Sequence, residues 1–425
     1  MDNRRIEPCA VNVASETGRL RAVLLHRPGV EIERMTPLNA AHALYSDILN
    51  KPIVDTEYHY FSGVLERWTR VYYVEDILEE LLKDGETRRY LVEESCDMDN
   101  CDDDLSEQLM ELDDKSLARV LVEGYEDPRW NEVADRQGGT PFQASEERYL
   151  LKPLYNLFFT RDASSTLYDR VLVNSMSFEV RERETLIYEA IFRRFFKVET
   201  LNAMQWDRDA RTEGGDVQVA GPDLLCIGQG IRTNTKGIKY LAQTFARERE
   251  QFNILVQELP KSPESFIHLD MVFTFLGKHQ CMAFEPMLRK TGLFAGKDTT
   301  LISIYKGNIS YRKVNNIVEG LNSLGWEMEP VIGGGSDPWV QLREQWHSGA
   351  NFFALGDGKV IGYRRNTHTI DALDKAGFAV LKAEDVVEGR VSMDAYDKFV
   401  VAFPGSELPR AGGGARCMTM PILRD

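Results

Sequence analysis

The spacing of apolar positions changes character twice along the chain. From Arg19 to Pro28, RLRAVLLHRP, the apolar residues Ala22 to Leu25 run together and are closed by Pro28-Gly29, which predicts a short buried strand. Between residues 74 and 123 the spacing becomes helical: VEDILEELLKDG and LSEQLMELDDKSLARVLVEG place apolar residues three and four apart, and Gly85 reads as a helix stop. That stretch is expected to be a helical insert. Beyond Leu150, strand-like runs (RVLVNSM, LLCIGQG, MVFTFLG, NFFALGDGKVIGYR, DKFVVAF) alternate with helical ones (ETLIYEAIFRRFF, KGIKYLAQTFARERE). CIGQGIRTNTKGIKYLAQ (226–243) echoes VIGYRRNTHTIDALDKAG (360–377), with NSMSFEVRERETLIYEAI (174–191) as a looser copy. A repeated strand-turn-helix module is therefore expected, although the copies diverge too far to fix a period.

Composition narrows the function. The chain has 425 residues, 43% hydrophobic, enough for a large core, and a formal net charge of −16, which repels phosphate backbones and argues against a nucleic-acid partner. The first 20 residues hold no signal-like apolar run, and nothing approaches the roughly 18 uninterrupted apolar residues of a membrane span. A cytoplasmic protein with no membrane partner is expected. Six scattered cysteines (Cys9, Cys96, Cys101, Cys226, Cys281 and Cys417) do not make a disulfide framework and read as reduced thiols. The acidic stretch EESCDMDNCDDD (93–104) reads as a solvated loop, because Cys101 and Asp102 stand where a calcium loop needs an oxygen ligand and a glycine.

Four short motifs carry candidate chemistry. GGGARCMTMP (412–421) sets Cys417 behind three glycines, which free the backbone and let a ligand approach closely; the thiol is a candidate nucleophile, or else the start of a last core strand. In FIHLDMVF, His268 and Asp270 stand two apart in a β-prone run and so are expected on one face of a strand. RTEGGDVQVA holds Glu213 and Asp216 around two glycines, and YNLFFTRDASS ends an apolar-aromatic run with Arg161 and Asp162. His268, Asp270, Glu213 and Asp216 are conceivable metal ligands, yet no recognised ligand spacing is present, and no metal or cofactor is expected.

Taken together and in order, F-T-R-D, E-G-G-D, H-L-D and the terminal G-G-x-A-R-C-M-x-M-P, with VLLHRPGVEIERMTP at 23–37, resemble the arginine deiminase family of guanidino-group-modifying enzymes. The resemblance implies an α/β pentein fold, a five-fold pseudosymmetric α/β propeller with an inserted α-helical bundle. On this chain that divides into 1–73 as the first part of the propeller, 74–148 as the insert and 149–425 as the remainder. It implies a cofactor-free hydrolysis of L-arginine to citrulline and ammonia. In that reaction Cys417 attacks the guanidinium carbon, His268 moves protons, Glu213 supports His268, and Asp162 and Asp270 grip the guanidinium. By the same resemblance Asn156, Phe159, Arg181 and Arg232 hold the rest of the substrate, with Arg183 close in register to Arg181, and Arg416 or Arg410 is placed to reach its carboxylate. A symmetric homo-oligomer is the default expectation. The chain departs from the family in the segment after Pro37, where LNAAHALYSDILNKPIVDTEYHYF replaces a more acidic gate carrying a Phe-Asp pair. That leaves open a related hydrolase or amidinotransferase acting on another guanidino or ureido compound such as citrulline, and a silent arginine-binding protein.

Overall fold

The run Ala22 to Leu25 lies in Leu20–Leu25, the central strand of a three-stranded sheet in this computed structural model, which describes residues 6–130 and 148–425. It pairs in parallel with Arg70–Tyr73 and antiparallel with the last strand, Met420–Arg424, so the start and end of the chain close one sheet. Its two faces are both covered. Ala22 and Leu24 pack with the helical segment's Ile77, Leu91 and Leu121, whereas Val23 and Leu25 pack with Phe61, Phe158 and Phe403. A strand buried on both sides needs no polar alternation, which is why it reads as a continuous apolar run.

The same plan, an antiparallel pair with a third strand added in parallel, recurs in four more sheets. They are Ser164–Leu167 with Arg170–Val173 and Thr200–Leu201; Val217–Gly221 with Leu224–Gln229 and Gln251–Glu258; Phe273–Phe275 with Gln280–Ala283 and Glu329–Ile332; and Phe353–Gly356 with Lys359–Tyr363 and Phe399–Phe403. A parallel neighbour cannot be reached by a tight turn, so the chain returns through crossovers that contain helices, such as Glu182–Ala190, Thr235–Glu248 and Thr367–Lys375. The echoes at 226–243 and 360–377 are this step: second strand, turn, crossover helix.

Helices Val74–Leu82, Gly85–Asp99, Asp103–Met110 and Asp114–Glu123 fill the stretch expected to be helical. Two details differ from the expectation. Gly85 does not stop a helix but begins the next one, whose N-cap is Asp84, accepting from the Thr87 N–H at 2.9 Å. The acidic stretch 93–104 is mostly helix, broken at Asn100 in the left-handed conformation (φ 57°), and Asp102 caps the helix that follows by accepting from the Leu105 N–H at 2.9 Å. Acidic side chains here satisfy the unpaired amides of helix starts. Within the expected insert, Tyr125–Glu126 forms a short strand, and residues 131–147 lie outside the described ones. Among the described residues no helix is long and apolar enough to cross a membrane.

Candidate active site

Each of the five sheets contributes side chains from the segment leading into its first strand. Asp162 precedes Ser164, Glu213 and Asp216 precede Val217, Asp270 precedes Phe273, Asn351 precedes Phe353, and Cys417 precedes Met420. These segments have irregular backbones, so a side chain can be aimed without interrupting a ladder.

The glycines before Cys417 have identifiable duties. Gly412 takes φ 92°, a left-handed conformation that ends the turn Leu408–Ala411. A Cβ on Gly413 would lie 2.3 Å from the Phe159 ring, and one on Gly414 would lie 2.6 Å from Asn351. The bare backbone thus lets two pocket side chains press against it. Cys417 Sγ then sits 3.7 and 3.9 Å from the Asp270 carboxylate oxygens and 3.2 Å from Asn351 Nδ2. Burial, with Asp270 and Asp162 adding negative charge, pushes the thiol well above its ordinary pKa.

His268 is not in a strand. It precedes the single turn Leu269–Met271, and pairing begins only at Phe273. The turn is fixed by Asp216, whose Oδ1 accepts the Leu269 N–H at 2.9 Å, and a β-prone pattern could not reveal that bond. His268 Nε2 lies 2.8 Å from Glu213 Oε2, and Nδ1 lies 3.8 Å from Asp162 Oδ1. Burial opposes the charged ring, but Asp162, Glu213 and Asp216 together outweigh it and raise the pKa to about 9. Glu213 is held near 2 in spite of its burial, chiefly by the Arg232 guanidinium and by His268. Arg232 Nη1 donates to Glu213 Oε2 at 3.1 Å, and the Ser177 N–H donates to Oε1 at 3.0 Å. Asp216 itself is pushed up to about 7 by burial.

Cys417, His268, Asp162, Asn156, Phe159, Arg181 and Arg232 line one small cavity, ≈ 40 Å³, with Leu44 and Ile267. A wider cavity of ≈ 610 Å³ among Ser15, Lys278, Trp326 and Asp425 contains none of them. Volume is a poor guide here, because the chemistry converges in the tight cavity. Arg181 Nη1 donates to Asp162 Oδ2 at 2.6 Å, and its other nitrogens pair with Glu184. Asp162 Oδ1 accepts no hydrogen bond, and Arg232 Nε donates none, among the described residues. Above the cavity, Asn156 Nδ2 donates to the Ala43 carbonyl at 2.8 Å, while Leu44 adopts φ 65°. Arg410 ties this segment down by pairing with Asp47 and with Glu407. Among the described residues no three His, Cys, Asp or Glu side chains are grouped to hold a metal ion.

The family model for arginine deiminase matches residues 42–424. The chain belongs to the arginine deiminase family. Curated arginine deiminases from Bacillus cereus and Bacillus cytotoxicus are 31% and 32% identical to it, over 97% of this chain and 98% of theirs. Among solved structures, it is similar to a dimethylarginine dimethylaminohydrolase from Pseudomonas aeruginosa complexed with citrulline (TM-score 0.51, 12% identity, 95% of this chain and 99% of that one). It is similar as well to an amidinotransferase from Microseira wollei (TM-score 0.52, 14% identity, 98% of each). At such identities the likeness is one of pentein fold.

Within this arginine deiminase family member, the structure brings together Cys417, His268, Glu213, Asp162, Asp270, Asn156, Phe159, Arg181 and Arg232. It takes Arg416 elsewhere. Expected to bind substrate, Arg416 is 1% exposed and absent from the cavity lining. Its Nε and Nη2 donate to Glu16 at 3.1 and 3.0 Å, Nη1 to Asp270 Oδ2 at 2.9 Å, and the remaining hydrogens to the carbonyls of Val217 at 2.9 Å and Gly214 at 3.4 Å. Every N–H of the guanidinium is engaged, so none is left for a substrate carboxylate. Arg416 holds Asp270 instead. Arg183 donates to the carbonyls of Leu121 and Lys152, away from the cavity. Sequence reasoning missed Glu16, which has no motif, and Asn351, whose only signal is its place before the strand in NFFALG.

Proposed function

We propose that this protein hydrolyses free L-arginine to L-citrulline and ammonia through a covalent thiouronium formed on Cys417. The observation that carries the reading is the buried Cys417 thiol 3.7 Å from the Asp270 carboxylate, in a cavity where Asp162 keeps an unbonded oxygen. A planar cation gripped by both carboxylates would bring its central carbon to the sulfur.

Burial among carboxylates disfavours the thiolate, and the positive charge of the arriving guanidinium reverses that penalty. As the guanidinium settles, the thiol gives its proton to solvent, and the resulting thiolate attacks the guanidinium carbon. The protonated His268, stabilised by Glu213, gives its proton to the departing nitrogen, and ammonia leaves. The neutral imidazole then takes a proton from water, and the hydroxide adds to the same carbon; the C–S bond breaks, sulfur leaves as thiolate, the hydroxyl proton passes to solvent, and citrulline departs. The reaction as written needs no metal or cofactor. Arg232, with a free Nε donor, and Arg181 bind the α-carboxylate, while Asn156 and Phe159 hold the amino end and the aliphatic stem.

The finer architecture belongs to the same reading. Five sheets of one plan, each contributing side chains to one site, support a closed five-module α/β propeller. Of the described residues, those up to 73 and 149–425 form it, and those within 74–148 belong to the helical insert.

The test is incubation with L-arginine, following ammonia and citrulline together. Equal amounts are expected from the wild type and none from Cys417→Ala, whose melting curve should be unchanged. No turnover of arginine would instead point to another guanidino or ureido substrate.

A further inference from the structure

Asn351 was marked by no motif, yet its carboxamide touches the nucleophile. It is fully buried, just ahead of the strand Phe353–Gly356, in the place that Asp162, Asp270 and Cys417 occupy ahead of theirs. The orientation of the amide is dictated by its neighbours. Oδ1 accepts from two successive backbone amides, Arg416 N–H at 2.8 Å and Cys417 N–H at 3.3 Å, which can only donate. Nδ2 faces the Asp270 carbonyl at 3.1 Å, which can only accept. One amide hydrogen is thereby committed to Asp270, and the other is left for Cys417 Sγ at 3.2 Å, with Met271 Sδ farther away at 3.7 Å. A flipped amide would break three contacts, so the donor side is fixed toward the sulfur.

We propose that Asn351 is a catalytic residue that donates a hydrogen bond to the Cys417 thiolate, both when it attacks and when it is expelled. The proposal deepens the cysteine-nucleophile reading and rests on it. Around Sγ the charged groups are Asp270, Asp162 and, behind Asp270, Arg416, whose donors are all engaged, with His268 lining the same cavity but paired to Glu213. The thiolate therefore forms beside negative charge and needs a donor. A cationic side chain in this position would pair with Asp270 and compete with the substrate guanidinium. A neutral amide stabilises sulfur without adding charge to a cation-binding cavity. Gly414 belongs to the same device, since a Cβ there would lie 2.6 Å from both Cβ and Oδ1 of Asn351 and would displace the amide.

The experiment measures Cys417 alkylation by iodoacetamide as a function of pH, by mass spectrometry, in the wild type, Asn351→Asp, Asn351→Ala and Gly414→Ala, alongside kcat, KM and melting curves. Loss of a hydrogen bond to a charged sulfur should slow alkylation near neutral pH roughly tenfold to a hundredfold and raise its apparent pKa by about one unit or more. In Asn351→Asp and Asn351→Ala, kcat should fall in parallel while KM changes little. A role confined to packing would lower the melting temperature and leave the alkylation profile where it was; that profile in any folded Asn351 variant overturns the proposal. Alkylation needs no arginine, so the result stands apart from whether arginine is the substrate.

Discussion

At the scale of single residues, the site works because charges are paired so that each carboxylate keeps a different task. Glu213 is held ionised by Arg232 and spends that charge on His268. Asp270 is held from behind by Arg416, which is itself anchored on Glu16, while Asp162 shares itself between Arg181 and an oxygen with no partner among the described residues. The imidazole has its pKa raised to about 9, so it is charged below that value and loses its proton above it. The proposed mechanism gives that proton to the leaving nitrogen, so kcat/KM for arginine should fall on the alkaline side with an apparent pKa near 9. Glu213 is one of the groups that raise it, so Glu213→Gln should move this limb to lower pH. A pH profile whose alkaline limb stays in place in Glu213→Gln would show that another group controls it. The motifs exposed Cys417, His268, Glu213, Asp162 and Asp270 because each has a distinctive side chain in a distinctive setting. Arg416 was misread for a physical reason: its partner Glu16 lies 400 positions away in the sequence and is invisible until the chain ends meet.

At the scale of elements, the segment leading into each first strand is what the fold uses to aim chemistry. Strand ladders fix where these segments start, and glycines decide how closely they pack. Gly413→Ala would drive a Cβ to within 2.3 Å of the Phe159 ring. Phe159 would have to leave its place in the cavity lining, a repacking that costs about 1–3 kcal/mol in a filled interior. If that cost falls on binding, KM for arginine should rise roughly tenfold to a hundredfold with little change in melting temperature. Steady-state kinetics check this, and an unchanged KM would mean that Phe159 does not line the bound substrate. The helical segment from 74 to 123 was legible from its 3.6-residue spacing. The two details that failed, Gly85 and the acidic stretch, failed because a capping aspartate and a solvated aspartate look alike in sequence and differ only in whether an amide lies within reach.

At the scale of the whole molecule, His26 joins the first sheet to the helical segment. It is buried at the end of Leu20–Leu25, with Nδ1 3.0 Å from Glu75 on the helix Val74–Leu82 and Nε2 3.3 Å from Glu31. Burial opposes its charge, yet the two carboxylates raise its pKa to about 10. The folded value exceeds the unfolded value of about 6.5, so the stabilisation is complete below that pH and is lost as pH rises through about 10. Denaturant unfolding at pH 7 and pH 10 should show the wild type weakening over this range. His26→Ala should be less stable at pH 7 by about 3 kcal/mol, the low end for a broken buried pair because Glu75 is 32% exposed, and it should weaken less with pH. Equal slopes for the two proteins would remove His26 from the pH dependence. The sequence by itself determined the candidate side chains, the alternation of strands and helices, and the helical stretch, because residue chemistry and short-range periodicity are local properties. Tertiary structure alone decided that Met420–Arg424 joins Leu20–Leu25, that Arg416 turns away to Glu16 and Asp270, and that Asn351 meets the sulfur. Each of these depends on segments remote in sequence being packed side by side, and the order of residues along the chain does not carry that information locally.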